Sequence, residues 1–250
     1  MVALSSPTAQ KRFSIGLLYA WSGFGLMWAV WAAFIIFLCE PRRLLPSWPL
    51  PTVDQEPVVA AQWAALIDLA LVAVFGLQHS VMARPWFKER IMAGMAPAFQ
   101  RCTYVHMANL ALLAVVVFWQ PIPVMIWHVD KGIAADLVWL LFAAGWLILF
   151  AGGWSFGLRE LLGVTQMQAW IEERRYQPPR LKTGFLYRWL RHPMYVGVLL
   201  GVWATPRMSV GHCLLALALT GYVLIGMRYE ERDLARTFGA RYRNWRKAAT

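Results

Sequence analysis

The sequence predicts an all-α integral membrane protein with about five transmembrane helices, the last of which forms a tight helical hairpin and leads into a cytoplasmic C-terminal helix. Two observations predict this class. Of the 250 residues, 59% are hydrophobic and only 15% are charged, which is the composition of a membrane protein. The apolar residues also lie in blocks of roughly twenty, the number that crosses ~30 Å of hydrocarbon as a helix. One membrane domain is therefore expected over residues 1–250.

Four apolar blocks predict the first four spans. Each ends at proline, glycine or polar residues, and they cover residues 13–38, 58–77, 104–119 and 134–151. The third block is a little short for a span. The first is too long to be the apolar part of a cleaved signal peptide, so we expect it to stay in the mature chain.

The last apolar region is divided near Pro206 into two unequal segments. Residues 194–205 would be ~18 Å long as a helix, which is too short to cross unaided, whereas residues 209–226 are long enough to return. We expect these segments to pair closely as a hairpin. Three small residues would permit the close approach: Gly197, Gly201 and Gly221.

The basic residues predict the orientation in the membrane. There are 24 Lys and Arg against 13 Asp and Glu, but they lie between apolar blocks and form no basic tail, which argues against a nucleic-acid partner and for membrane lipids. Four of them fall in the loops on one side, and the other twenty fall on the opposite side: the four are Arg42, Arg43, Lys131 and Arg207. By the positive-inside rule, both termini and residues 153–192 face the cytoplasm.

The cysteines indicate neither a disulfide framework nor a metal site. Cys39, Cys102 and Cys213 are far apart and form no Cys-x-x-Cys pair. No histidine lies at metal-ligand spacing from them, so no metal is expected.

A polar cluster precedes the last hairpin. Residues 190–197 read Leu-Arg-His-Pro-Met-Tyr-Val-Gly. Pro193 suits the first turn of a helix, where its missing N–H is no loss, and it pushes the preceding residue out of helical geometry. We therefore expect Arg191 and His192 at the start of a helix.

A second polar cluster follows the hairpin, where residues 228–234 read Arg-Tyr-Glu-Glu-Arg-Asp-Leu. Gly239 stands a few residues later, where a helix C-cap would lie. Because a hairpin returns to the side of the membrane from which it started, Glu230 and Glu231 should meet the first cluster there. The simpler alternative is that the basic residues anchor the chain at the interface and the glutamates end a solvated helix.

Together the two clusters resemble the C-terminal signature of the integral membrane methyltransferases related to isoprenylcysteine carboxyl methyltransferase. In that superfamily these residues hold S-adenosylmethionine, and the matching positions here are Arg191, His192, Pro193, Tyr195, Gly197, Glu230 and Glu231. The resemblance implies that the cofactor-binding part covers about residues 153–250. Arg159 could reach a carboxylate of the cofactor, or simply a lipid phosphate.

Within that superfamily, the chain is more similar to the bacterial methanethiol S-methyltransferase family. The matching stretches are Asp68-Leu-Ala-Leu, Gln78-His-Ser-x-Met-Ala-Arg84, Phe156-Gly-Leu-Arg159 and Trp203-Ala-Thr-Pro-x-Met-x-Val-Gly-His212. The resemblance implies S-adenosylmethionine-dependent methylation of a small volatile thiol, most simply methanethiol to dimethyl sulfide. It also implies a bacterial inner membrane and no obligate protein partner.

One departure from that family leaves the methyl acceptor open. The family carries a polar Asn-His-Phe-Asp run before Phe-Gly-Leu-Arg, whereas this chain has Ala151-Gly-Gly-Trp-Ser155. Another thiol, a lipid or a prenylcysteine carboxylate is therefore an alternative acceptor. A sterol-type reductase that uses NADPH shares the superfamily fold and a similar motif, and a membrane scaffold or transporter is the non-enzymatic alternative.

Two polar residues on the second span are candidates for catalysis. Asp68 is the one acid well inside an apolar block, where a carboxylate costs several kcal/mol unless it is paired, protonated or near water. His79 lies about three helical turns later on the same face. Since thiols are mostly protonated at neutral pH, a base or cation should promote the thiolate: we expect His79 first, then Arg191 or His192. For Asp68 a structural hydrogen bond between helices is the alternative, and for His106 in the third span a packing role is expected.

Overall fold

The computed structural model describes residues 7–178 and 181–248. Within that part of the chain, nine helices and two short strands follow one another. The helices are α1 (Pro7–Cys39), α2 (Ala61–Val81), α3 (Pro85–Arg90), α4 (Pro97–Phe118), α5 (Ile133–Phe156), α6 (Leu158–Leu161), α7 (Val164–Ile171), α8 (Pro193–Trp203) and α9 (Val210–Ala248). The strands are β1 (Met125–His128) and β2 (Arg207–Ser209), and single 3₁₀ turns cover Pro41–Arg43 and Phe185–Arg188.

Five helical segments are long and apolar enough to cross a membrane, as predicted. They are Ile15–Cys39, Ala61–Val81, Pro97–Phe118, Ile133–Phe156 and Val210–Lys247. Only 22% to 39% of their apolar windows is buried inside the protein, so most of this apolar surface is left for lipid. The chain is therefore an integral membrane protein.

The third span is longer than the sequence predicted. Helix α4 begins at Pro97 rather than at residue 104, and it has 22 residues. Its first turns contain polar residues, among them Gln100 and Arg101, so the apolar block begins later in the sequence than the helix does. Both side chains donate hydrogen bonds to backbone carbonyl oxygens of neighbouring segments at this end of the span.

The glycines of α8 pack against α5. A Cβ atom at Gly197 would lie 2.5 Å from the backbone N of Leu149, and one at Gly145 would lie 2.5 Å from the backbone N of Gly201. The two helices therefore approach backbone to backbone, as small residues permit in membranes. This corrects the predicted role of these glycines in the hairpin with α9, where a Cβ at Gly221 would meet nothing within 4 Å.

The hairpin of α8 and α9 is itself present, and side chains join it near its turn. Trp203 Nε1 donates to Thr220 Oγ1 at 3.0 Å, and His212 Nε2 lies 2.9 Å from the carbonyl oxygen of Val202. The turn contains β2, which pairs antiparallel with β1. This ribbon departs from the all-α prediction, because strands of four and three residues are too short to show an alternating pattern.

Helix α9 contains a kink at Gly239, where φ is 53° and ψ is −125°. Glycine adopts this left-handed φ without the steric cost that a side chain would add. The predicted interruption at Gly239 is thus confirmed, although helical geometry resumes after it.

Candidate active site

The first polar cluster lies at the start of α8, as predicted. Pro193 occupies the first turn, and His192 precedes it as the N-cap with φ −131° and ψ 66°. The close contact of α8 with α5 holds this end in place. Arg191 and His192 are consequently presented beside the neighbouring helix α9.

The two predicted clusters meet in the structure. His192 Nδ1 lies 3.6 Å from Glu230 Oε2, and His192 Nε2 lies 3.3 Å from Glu231 Oε1. A guanidinium nitrogen of Arg191 lies 3.5 Å from the same oxygen of Glu231. Tyr195, one turn into α8, stacks on the His192 ring with centroids 5.5 Å apart and hydrogen-bonds to Glu230. Residues about forty positions apart thus form one polar network.

This network is partly open to solvent. The side chain of His192 is only 8% exposed, whereas that of Arg191 is 41% and that of Glu231 is 27% exposed. Burial by itself would lower the pKa of His192, but its hydrogen bonds and charge interactions with Glu230 and Glu231 outweigh burial and raise it. The imidazolium form is therefore favoured inside the network.

The C-terminal part of α9 adds a residue to the charged network. Arg246 NH1 lies 3.9 Å from Glu231 Oε2. Fifteen residues of straight helix would separate them by ~22 Å along the axis, so the kink at Gly239 must turn the part of α9 that contains Arg246 back toward Glu231. Tyr187, buried in the 3₁₀ turn before α8, also lies near the glutamates: burial and the charge of Glu230 raise its pKa to about 12.

A second polar group lies around His79 near the end of α2. Its Nε2 lies 2.9 Å from the hydroxyl oxygen of Tyr104, and its buried Nδ1 has no hydrogen-bond partner among the described residues. The rings of Phe75, Tyr104 and Tyr222 surround it at centroid distances of 5.6, 5.3 and 6.3 Å. Gly76 makes room for Tyr222, since a Cβ there would lie 2.9 Å from Tyr222 Cδ2.

Tyrosines connect the His79 group to the charged network. Tyr195 of α8 is close enough to Tyr222 and Tyr104 to interact with both electrostatically. Arg84, just after α2, pairs with Asp233 of α9 at 3.1 Å, which holds the end of α2 beside the glutamates. Tyr104 and Tyr222 were not among the site residues predicted from the sequence. The available signal was that a tyrosine buried within an apolar span needs a partner for its hydroxyl group.

The structure places Asp68 away from this group. Its side chain is fully buried, and Oδ1 accepts a hydrogen bond of 2.8 Å from the backbone N–H of Gln120, just after α4. Along α2 it lies ~16 Å from His79. This geometry favours the alternative in which Asp68 joins two helices.

Two other candidates also have contacts elsewhere. Arg159, on α6, donates to Gln168 Oε1 at 2.7 Å and lies 6.0 Å from the ring of Trp21, so its guanidinium contacts α7 and α1. His106 stacks on Tyr19 at 4.5 Å, and its two nitrogens lie within 3.1 Å of Ser22 Oγ and the Cys102 carbonyl. Such a histidine, satisfied on both nitrogens, fits the expected packing role.

The segment that departs from the family pattern lies directly against the start of α8. A Cβ at Gly152 would lie 3.0 Å from Met194 Cγ, and one at Gly153 would lie 3.2 Å from Leu158 Cδ2. Gly152 therefore makes room for Met194 beside the charged network, and Gly153 makes room for Leu158 of α6. In the described residues, no group of three or more His, Cys, Asp or Glu is placed to hold a metal.

Comparisons with known proteins point to a family. A family model described as phospholipid methyltransferase matches residues 139–241. Methanethiol S-methyltransferase of Mycobacterium tuberculosis is 36% identical over 78% of this chain and 80% of its own length. Methanethiol S-methyltransferase 2 of Bradyrhizobium diazoefficiens is 37% identical over 89% of this chain and 86% of its own length. The Nurim homolog of Drosophila melanogaster is 28% identical over 89% of this chain and 91% of its own length. No solved structure matches.

Proposed function

The chain belongs to the methanethiol S-methyltransferase family, and on that premise we propose that it transfers the methyl group of S-adenosylmethionine to the sulfur of a small thiol. Methanethiol would be the acceptor and dimethyl sulfide the product. The observation that carries the cofactor assignment is the meeting of His192 with Glu230 and Glu231. We further propose that residues 153–250 form the cofactor-binding part, and that residues 153–192 and both termini face the cytoplasm of a bacterial cell.

The charged network has the donor and acceptor groups that this cofactor needs. Glu230 and Glu231 would accept hydrogen bonds from its ammonium and hydroxyl groups, and Arg191 would donate to its carboxylate. The present contacts of 3.3 to 3.6 Å are longer than the ~2.8 Å of strong charge-assisted hydrogen bonds. They can therefore be exchanged for contacts with a ligand at modest cost.

The other motif residues would shape and orient the site. Tyr195 and His192 would hold Glu230, which they both contact, in position. Gly197 allows the backbone of α8 to lie close to that of α5. S-adenosylmethionine supplies a methyl group on a positively charged sulfur. Arg159 is expected to remain with α7 and the lipid interface.

His79 is the base that we propose for the thiol. If its Nε2–H donates to the Tyr104 hydroxyl oxygen, then Nδ1 carries a free lone pair. Nδ1 would take the proton of the thiol as the sulfur–methyl bond forms, and it would release that proton to water after transfer. The rings of Phe75, Tyr104 and Tyr222 exclude water around it, so that sulfur and methyl can be held in line.

Headspace gas chromatography would test the reaction. Membranes containing the protein should form dimethyl sulfide from methanethiol and S-adenosylmethionine carrying a labelled methyl group, with less product from longer thiols. Label in a prenylcysteine analogue without volatile product would contradict the thiol assignment. Thermal stabilisation of the purified protein by NADPH, and not by S-adenosylhomocysteine, would favour the reductase instead.

The role of His79 has its own test. His79→Gln should lower kcat by about 10²- to 10⁴-fold, the usual contribution of a general base, and leave the Kd for S-adenosylhomocysteine unchanged. His106→Gln is the matched control, because that histidine also lies in a span but contacts α1. If both variants lose activity equally, His79 is a packing residue.

A further inference from the structure

A cavity of about 520 Å³ lies away from the charged network, between α3, the start of α4, α6 and α7. Its polar lining consists of Lys88, Gln100, Arg101, Glu160, Gln166 and Arg174, with Tyr176 at one wall. None of the motif residues on α8 and α9 lines it. The cavity is therefore separate from the cofactor site proposed above.

The lining carries an excess of positive charge. Arg174 is paired with Glu172, whose Oε2 lies 2.5 Å from its Nε, so that Lys88 and Arg101 oppose the single carboxylate of Glu160 in the lining. That carboxylate already accepts hydrogen bonds from the hydroxyl of Tyr176 and from Gln166 Nε2. Both hydrogen bonds fall on its Oε1, and this one negative charge does not balance the two cations Lys88 and Arg101 within the cavity.

Two details show that neighbouring groups do not fully compensate the charges of Lys88 and Arg101. Burial, and then the charge of Arg101, lower the pKa of Lys88, as expected where cations repel one another. Arg101 Nε is buried and has no hydrogen-bond partner among the described residues. An anion between Lys88 and Arg101 would reduce the repulsion between the two cations and could accept a hydrogen bond from Arg101 Nε.

The cavity lies where phospholipid headgroups would be found. Lys88 follows the span of α2 by a few residues, Arg101 is in the second turn of α4, and Glu160 comes just after α5. Trp86 and Ile91, which flank Lys88, are 50% and 66% exposed, as suits residues that enter the membrane interface. Basic pockets between spans on the cytoplasmic side favour anionic lipid headgroups.

We propose that this cavity binds the phosphate of an anionic phospholipid headgroup between Lys88, Arg101 and Arg174. Through Arg101, the bound lipid would also affect Tyr104, the residue that contacts His79. Arg101 lies 5.0 Å from the centre of the Tyr104 ring, and the Tyr104 hydroxyl oxygen lies 2.9 Å from His79 Nε2. A lipid that fixes Arg101 would consequently fix Tyr104.

Lipid binding can be measured without any methyl transfer, so its outcome is independent of the proposed function. The full chain is purified in an uncharged detergent and titrated with phosphatidylglycerol, with phosphatidylcholine, and with glycerol 3-phosphate as the soluble source of phosphate. Native mass spectrometry gives the bound lipid, and thermal unfolding gives the stabilisation. The test variant is Lys88→Gln with Arg174→Gln, and the charge-matched control is Arg236→Gln with Arg243→Gln on the exposed side of α9.

We expect phosphatidylglycerol to bind and stabilise the wild-type protein more than phosphatidylcholine. The test variant should lose affinity by about fivefold for each cation removed, and the control should keep it. Equal losses in the two double variants, or no preference for the anionic lipid, would overturn the proposal. Equal stabilisation by glycerol 3-phosphate would assign the cavity to a soluble phosphate and would also overturn the lipid assignment.

Discussion

Helix α8 meets its two neighbours in different ways. Toward α5 it approaches backbone to backbone, so that an added Cβ at Gly197 would lie 2.5 Å from a main-chain nitrogen. Toward α9 its first residues present charged and aromatic side chains at 3.3 to 3.6 Å from two glutamates. The first contact admits no new atom, whereas the second consists of partly exposed groups that can exchange partners.

The contact of α8 with α5 therefore supports the candidate site, whereas its contact with α9 supplies the groups that can bind a ligand. Packing of α8 on α5 sets the position of Arg191 and His192 without using their side chains. Those side chains are then available to bind a ligand, because the glycine contacts already place the start of α8. A site held by rigid elements in this way keeps its geometry more precisely than one built on loops.

The largest expected effect comes from breaking the α5 contact. Gly197→Val should prevent folding, and Gly197→Ala should cost ~1–3 kcal/mol of stability or more, since the backbone of α5 cannot yield. Gly221→Ala is the matched control, because a Cβ there meets nothing within 4 Å. Thermal unfolding in detergent measures both. Equal melting temperatures for the two alanine variants would show that the helices are not in close contact.

Changing the α9 contact should instead affect ligand binding. Glu230→Gln and Glu231→Gln each remove a charged partner, which typically contributes ~1.5–3 kcal/mol, so the affinity for S-adenosylhomocysteine should fall about ten- to hundredfold. The melting temperature of the ligand-free protein should change little. Calorimetric titration and thermal unfolding give the two values. A loss of stability with unchanged affinity would mean that the glutamates serve the fold.

The pH dependence of stability should reveal the His192 network. The pKa of His192 is raised in the folded protein above its unfolded value of ~6.5. Its contribution to stability is therefore fully present below about pH 6.5 and is lost as pH rises through the folded pKa. The melting temperature of the wild type should fall toward that of His192→Gln over this range. His128→Gln, which removes an exposed histidine on β1 outside the charged network, is the matched control.

The smallest effect is expected at Arg246. Its guanidinium lies 3.9 Å from Glu231 and its side chain is 45% exposed, and exposed ion pairs contribute ~0–1 kcal/mol. Arg246→Gln should lower ligand affinity by at most about fivefold. Arg243→Gln, exposed on the same segment, should not change it. An effect as large as that of Glu231→Gln would show that Arg246 contacts the ligand directly.

Several features could be predicted because they depend on neighbouring residues in the chain. Block length and composition predicted the number of spans, and Pro193 predicted the start of α8. The spacing of the two polar clusters around a hairpin predicted that they would meet. In each case the cause is local: a helix needs a given number of apolar residues to cross the bilayer, and proline is tolerated in its first turn.

By itself, then, the sequence determined the membrane class, the number of spans and the motif residues of the charged network. The tertiary structure decided which helix receives the glycines of α8, where Asp68 finds its partner, which tyrosines surround His79, and that Arg246 returns to Glu231. The physical reason is that lipid is as apolar as the helices it surrounds. Hydrophobicity therefore drives helices into the membrane but does not choose their neighbours, and shape and hydrogen bonding between distant segments make that choice.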